Sequence, residues 1–207
     1  MNIHRLLPLA IMLCAGPAAA QTAPSTSGMS TSTPMSNAKP FRELQAFGGC
    51  MARTQKRAAL ALIATEPGSR EEQKMLQRLV YGEQTICLSG GTEMLLPGVF
   101  ARGAVAEGLV RAGGVPEGYA LPVPAPSEVR DLHGAARCYT ASHRGEVEKL
   151  LETGPASREE VAAVRGIWND FKACMPNLQV RLNAPWIRFL LAEALLRVPA
   201  AAAPAAK

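Results

Sequence analysis

The chain has 207 residues, 48% of them hydrophobic, and its 22 Lys and Arg against 17 Asp and Glu leave a net charge of +5. That is enough apolar content for a packed core and too little net charge for a wholly disordered chain. The basic residues are interleaved with acids rather than clustered, which argues against nucleic-acid binding, and no C-x-x-C pair occurs to support a thioredoxin-like site or a zinc finger.

The chain opens with His4 and Arg5, an apolar run from Leu6 to Cys14, and Ala18-Ala19-Ala20. This is the pattern of a secretory signal peptide over residues 1–20, cleaved after Ala20. The apolar run is shorter than the roughly 20 residues a membrane-spanning helix needs, so no transmembrane segment is expected after cleavage. The bulky Leu13 before Cys14 argues against a lipid-attachment site. Cleavage removes Arg5 and Cys14, leaving 21 basic and 17 acidic residues, a net charge of +4, and four cysteines. An even number of cysteines in an exported chain reads as a disulfide framework rather than metal ligands.

Residues 21–39 are rich in Ser, Thr, Pro and Ala, cannot bury enough surface to offset the entropy of ordering, and are expected to be a disordered linker. Met29 and Met35 within it are soft-metal ligands in principle, but with no His or Cys beside them they are read as incidental. The first helical unit covers residues 40–111. Leu44, Phe47, Met51, Ala58 and Leu62 recur at helical spacing, predicting one helix from Pro40 to Ala64. Gly48-Gly49 weakens its middle but admits another backbone close by. Thr65-Glu66-Pro67-Gly68 ends that helix. Ser69 and Glu72 form an S-x-x-E capping box that starts a second, lined by Met75, Leu76, Leu79 and Val80. After a Gly90-Gly91 turn, a third helix runs from about Pro97 to Arg111, with the small-residue face Ala101, Ala104, Val105, Gly108 and Leu109.

A Gly/Pro-rich connector, residues 112–126, leads to a second unit at residues 127–198, and residues 199–207 form an Ala/Pro tail expected to be disordered. The second unit repeats the plan. Ser127 is read as the cap of a helix reaching Leu151, Ser157 and Glu160 repeat the capping box, and Val161, Val164, Trp168 and Phe171 line the next helix. The third helix carries Ile187, Leu190, Leu191, Ala194 and Leu195, a bulkier face than its counterpart. Cys50, Thr65, Pro67, Ser69-Arg70-Glu71-Glu72, Cys87 and Ala106-Glu107 through Arg111 recur in order as Cys138, Thr153, Pro155, Ser157-Arg158-Glu159-Glu160, Cys174 and Ala192-Glu193 through Arg197. Such self-similarity marks a duplication.

Helical rise predicts the cysteine pairing. Cys50 lies about 21 Å before the turn and Cys87 about 25 Å after it at 1.5 Å per residue, so an antiparallel hairpin brings them level, within reach of the roughly 5.5 Å Cα separation of a disulfide. The same holds for Cys138 and Cys174. Cys50–Cys87 and Cys138–Cys174 are therefore favoured over the two crossed connectivities, each stapling a unit otherwise small for a stable core.

The polar residues of the third helices supply the candidate contacts. Phe100, Glu107 and Arg111 match Trp186, Glu193 and Arg197, each set on one helix flank, with Arg102 and Arg188 at the opposite edge. Each set offers an aromatic plate, an acid and a guanidinium for a ligand or partner. The alternative is structural: i,i+4 ion pairs Glu107/Arg111 and Glu193/Arg197, or ties from each Glu to Arg42 or Arg130. The structural alternative is the favoured one. His133 and His143 face Gln45 and Gln55 in the other copy and are read as lying outside the shared plan. With no free thiol, phosphate loop or nucleophile elbow, no catalytic, cofactor or metal residue is assigned.

The repeated Cys, the P-x-S-R-E-E turn, the second Cys and the A-E-x-L-x-R helix resemble those of a group of exported Gram-negative proteins built from two Cys-containing helical repeats, to which no function is assigned. The resemblance implies a periplasmic or secreted setting and carries over no functional residue. The expectation is an all-α protein of two homologous three-helix units, each a disulfide-stapled hairpin plus a third helix, packed as an internal pseudo-dimer. It is expected to bind a partner protein or a small ligand without catalysing a reaction, the alternatives being a periplasmic hydrolase and an envelope-stress or chaperone-like protein.

Overall fold

Segments with apolar residues at helical spacing fold as helices, and the places where that spacing meets Pro or Gly become turns. The computed structural model describes residues 28–29, 39–81, 86–88, 98–114 and 118–199. The expected signal peptide, the Gly90-Gly91 turn and residues 200–207 lie outside the described residues, as does most of the linker. Among the described residues the fold is all-α, with helices α1 (Lys39–Thr54), α2 (Lys56–Ala64), α3 (Arg70–Tyr81), α4 (Gly98–Arg111), α5 (Leu132–Glu152), α6 (Arg158–Ala173) and α7 (Ala184–Arg197). A two-residue strand β1 (Gly28–Met29) pairs in parallel with β2 (Arg181–Leu182). That pairing falls inside the linker expected to be disordered, and it needs only backbone groups, so the polar composition does not prevent it.

The single helix predicted from Pro40 to Ala64 is instead two, broken where Gln55 leaves helical geometry at φ −131°, ψ 41°. In the second half α5 deflects at the matching residue, His143, at φ −128°, ψ 31°. Ser127 is not the cap of α5. Glu128 folds back to accept from the Ala125 N–H at 2.9 Å, closing a short 3₁₀ turn, and extended Asp131 takes the capping role by accepting from Gly134 N–H at 2.6 Å.

Both serines cap their helices, but each capping-box glutamate reaches one residue past the serine N–H, which bonds to a turn carbonyl instead. Ser69 and Ser157 accept from the N–H groups of Glu72 and Glu160, while Glu72 and Glu160 reach back to the N–H groups of Gly68 and Ala156. Both predicted disulfides form, with Cα separations of 5.5 Å for Cys50–Cys87 and 5.8 Å for Cys138–Cys174. Two disulfides point to an oxidising, extracytoplasmic environment. No helix among the described residues is long and apolar enough to cross a membrane.

Helices α4 and α7 form the centre, packed on each other, with α1 against α4 and α5 against α7. In α7 every residue but Trp186 is buried. The small residues of α4 make this possible. A Cβ on Gly103 would lie 2.2 Å from the Cβ of Phe189, so the two helices cross where a glycine receives a phenylalanine. Gly48 and Gly108 let α1 and α4 touch backbone to backbone, as the glycine pair beside Cys50 predicts: a Cβ on Gly48 would sit 1.8 Å from the Ala104 carbonyl oxygen. Phe100 and Trp186, at matching positions, meet edge to face at 5.2 Å.

Candidate functional site

The polar residues of α4 and α7 face inward. Arg102 is buried and donates to both oxygens of Glu193 on the other central helix, through Nε at 2.9 Å and Nη2 at 2.7 Å. Its remaining N–H groups reach the Leu62, Ile63 and Thr65 carbonyls and Glu72. Arg188 repeats this in the second half. It forks onto Glu107 at 2.9 and 2.7 Å and donates to the Leu150 and Leu151 carbonyls, Thr153 Oγ1 and Glu160. Each arginine thus saturates the frayed end of its own helical hairpin, where carbonyls lack intrahelical partners, and crosses to the third-helix glutamate of the other half. The bidentate fork suits guanidinium and not ammonium.

Arg111 extends the second node, pairing with Glu107 at 3.0 Å and donating to the Leu151 carbonyl. Arg197 extends the first, lying 3.8 Å from Glu193 and donating to the Ile63 and Tyr119 carbonyls. The i,i+4 pairs expected from the sequence therefore exist, but the stronger partners are Arg102 and Arg188 in the opposite half, and neither Glu ties to Arg42 or Arg130. The capping-box glutamates Glu72 and Glu160, read from sequence as helix punctuation alone, are also arginine ligands.

Gln45 and His133 each approach one of the two central glutamates. Gln45 donates to Glu107 at 2.7 Å, and His133 Nδ1 lies 3.1 Å from Glu193 Oε2. The His133 contact has ion-pair distance but not the alignment of a hydrogen bond. His143 stacks on Tyr139 with ring centroids 4.5 Å apart. Burial and the neighbouring Glu146 push that tyrosine's hydroxyl well above its ordinary pKa.

Burial by itself would raise both central glutamates, yet both are held below the ordinary carboxylate value. For Glu193 the contacts with His133 and Arg102 outweigh burial and bring it to about 2. For Glu107 the hydrogen bonds and charge of Arg188 do so, helped by Gln45 and Arg111. Burial dominates at Glu160 and raises it despite Arg188. A carboxylate held ionised by a bidentate arginine has no proton to give at neutral pH, so Glu107 and Glu193 are equipped to hold helices together and not to act as general acids. Of the six candidate contacts, Glu107, Glu193 and Arg197 are buried in the nodes, Phe100 is buried among aromatics, Arg111 is half-exposed beside its node, and Trp186 lines a cavity.

That cavity is a cleft of about 880 Å³. Its walls come from the α2–α3 turn (Glu66 to Gly68), the connector (Leu121 to Pro124), the start of α5 with His133 and Arg137, the loop before α7 with Leu178 and Val180, and Trp186 and Leu190 of α7. Arg137 pins the connector over the cleft by donating to the Pro122 carbonyl at 3.2 Å. Among the described residues no group of three or more His, Cys, Asp or Glu is placed to hold a metal ion. No family model, curated protein or solved structure matches the chain. The cleft is read from its own geometry.

Sequence reasoning missed the cleft because its walls come from five separated segments. It set Arg102 and Arg188 at the opposite edge from the glutamates and gave them no partner, because helix spacing cannot show a partner on another element. The available signal was an arginine near the start of each of two mostly apolar helices.

Proposed function

We propose that the chain is an exported, non-enzymatic binding module of the periplasm, an internal pseudo-dimer of two three-helix units whose frame holds a ligand cleft. Reciprocal pairing supports the pseudo-dimer, since Arg102 meets Glu193 as Arg188 meets Glu107, and matched residues Gly103/Phe189 and Phe100/Trp186 face one another, as expected near a two-fold axis. The observation that carries the binding reading is the cleft itself, whose volume falls in the range of small-molecule sites and whose walls are mostly apolar with a few convergent polar groups. Arg102 and Arg188 spend their guanidinium donors within the fold, whereas the cleft presents side chains to solvent.

The test is native mass spectrometry of the protein recovered from the periplasm, compared with Val123→Trp. Val123 lines the cleft and is 43% exposed, so a tryptophan there fills the mouth without entering the core. The expected result is a co-purifying small-molecule mass on the natural chain and none on the variant, with equal melting temperatures. An equal mass on both, or none on either, rejects the cleft as the binding site.

A further inference from the structure

We infer that the cleft selects a small amphipathic cation, an ammonium or guanidinium head on a compact apolar body, a reading that rests on the cleft being the ligand site. The chain as a whole is basic, at net +5, yet the cleft is not. Glu66, Glu72, Glu128 and Asp131 line it against Arg137 as the one arginine or lysine. Glu72 is neutralised by Arg102 at 3.3 Å. Glu66, Glu128 and Asp131 have no ion-pair partner among the described residues.

Glu128 and Asp131 are fixed in place. Each accepts a backbone N–H, from Ala125 and Gly134 respectively, and such a bond orients the carboxylate without cancelling its charge. Two oriented negative charges beside an apolar wall form a receptor for a cation that brings its own hydrophobic surface. Trp186 adds an aromatic group of the kind that attracts ammonium and guanidinium. An anion would meet net repulsion here. A wholly apolar ligand would strip water from carboxylates that it could not satisfy.

Calorimetric titration of the full chain with phenethylammonium, phenethyl alcohol and phenylacetate tests this, because the three share a body and differ in charge. The ammonium is expected to bind about tenfold or more tighter than the alcohol, equivalent to roughly 1.4 kcal/mol, and phenylacetate weakest. Glu128→Gln with Asp131→Asn preserves both backbone contacts and should erase that preference at unchanged melting temperature. Val123→Trp should abolish binding of all three. Equal binding of the three ligands, lost in Val123→Trp, overturns the charge selectivity and leaves the cleft as a binding site. Tightest binding by phenylacetate, no binding by phenethylammonium, or binding only of a lysine-rich peptide overturns the inference.

Discussion

The two arginine nodes use the same residue types in the same places and differ in what surrounds them. Around Arg188 the carboxylates are sealed: Glu107 and Glu160 are both 0% exposed, and Pro155 and Ala156 of the adjoining turn are buried. Around Arg102 the corresponding turn, Glu66 to Gly68, forms a wall of the cleft, and Glu72 lies at its edge. The same residue types thus form a closed joint and an open one. The difference teaches that a sealed polar cluster serves to hold helices together, and that a binding surface is sought where such a cluster opens.

The largest expected effect breaks the closed joint. Arg188→Ala would strand Glu160 without water or counter-charge and leave Glu107 to Arg111, and removing one partner of such a buried pair costs about 3–5 kcal/mol. Arg102→Ala should cost less, because Glu193 keeps Arg197 nearby and Glu72 lines the cleft, where water reaches it. Urea unfolding of the two variants measures the gap. The triple variant Arg188→Met, Glu107→Gln, Glu160→Gln should recover most of the loss, since the penalty comes from uncompensated charge and not from the missing guanidinium. Equal costs for the two single variants would mean that the joints are energetically alike and that exposure does not distinguish them.

Acid sharpens the same comparison. Glu193 has a folded-state pKa depressed from 4.5 to about 2, so it contributes stability above its unfolded value that is lost as pH falls through that window. A shift of this size corresponds to about 3 kcal/mol. Glu160 is raised, so the sign reverses: the folded protein holds that proton more tightly than the unfolded chain, and stability is lost as pH rises through its folded value. Unfolding free energy followed from about pH 5 to 2 should therefore fall less steeply in Glu193→Gln than in the natural chain, while Glu160→Gln keeps the full acid slope. Identical slopes in all three proteins would remove Glu193 as the acid-sensitive group of the open joint.

How far the sequence reaches follows from which interactions are local. Most of the helix spacing, both serine caps and the level match of the cysteines depend on residues within one hairpin, and they read correctly from the chain. The break at Gln55 and the cap at Asp131 did not, because each turns on a choice between neighbouring backbone arrangements separated by little energy. The Arg102–Glu193 pair spans 91 residues, and no periodicity within one helix points to it. Gln45 and His133 look unrelated as residue types, yet each approaches a central glutamate. Both are polar side chains set over a third-helix glutamate.

The smallest expected effect tests the helix crossings. In the first half α1 and α4 meet through Gly48 and Gly108, each with a would-be Cβ about 2 Å from the other helix's backbone. In the second half the matching positions are Ala136 and Ala194, both buried. If only local preference mattered, Gly48→Ala would stabilise α1, since alanine exceeds glycine by about 1 kcal/mol in a helix. The clash is with the Ala104 carbonyl, part of a hydrogen-bonded helix that cannot step aside as a side chain can. Overpacking of this kind costs about 1–3 kcal/mol, so the net expected change is a loss of about 1 kcal/mol, read from the urea midpoint. Gly166→Ala, in α6 with nothing near its would-be Cβ, supplies the contrast and should gain stability. A gain at Gly48 equal to that at Gly166 would mean that the first crossing is as wide as the alanine-built one, and that the two halves pack alike where the glycines set them apart.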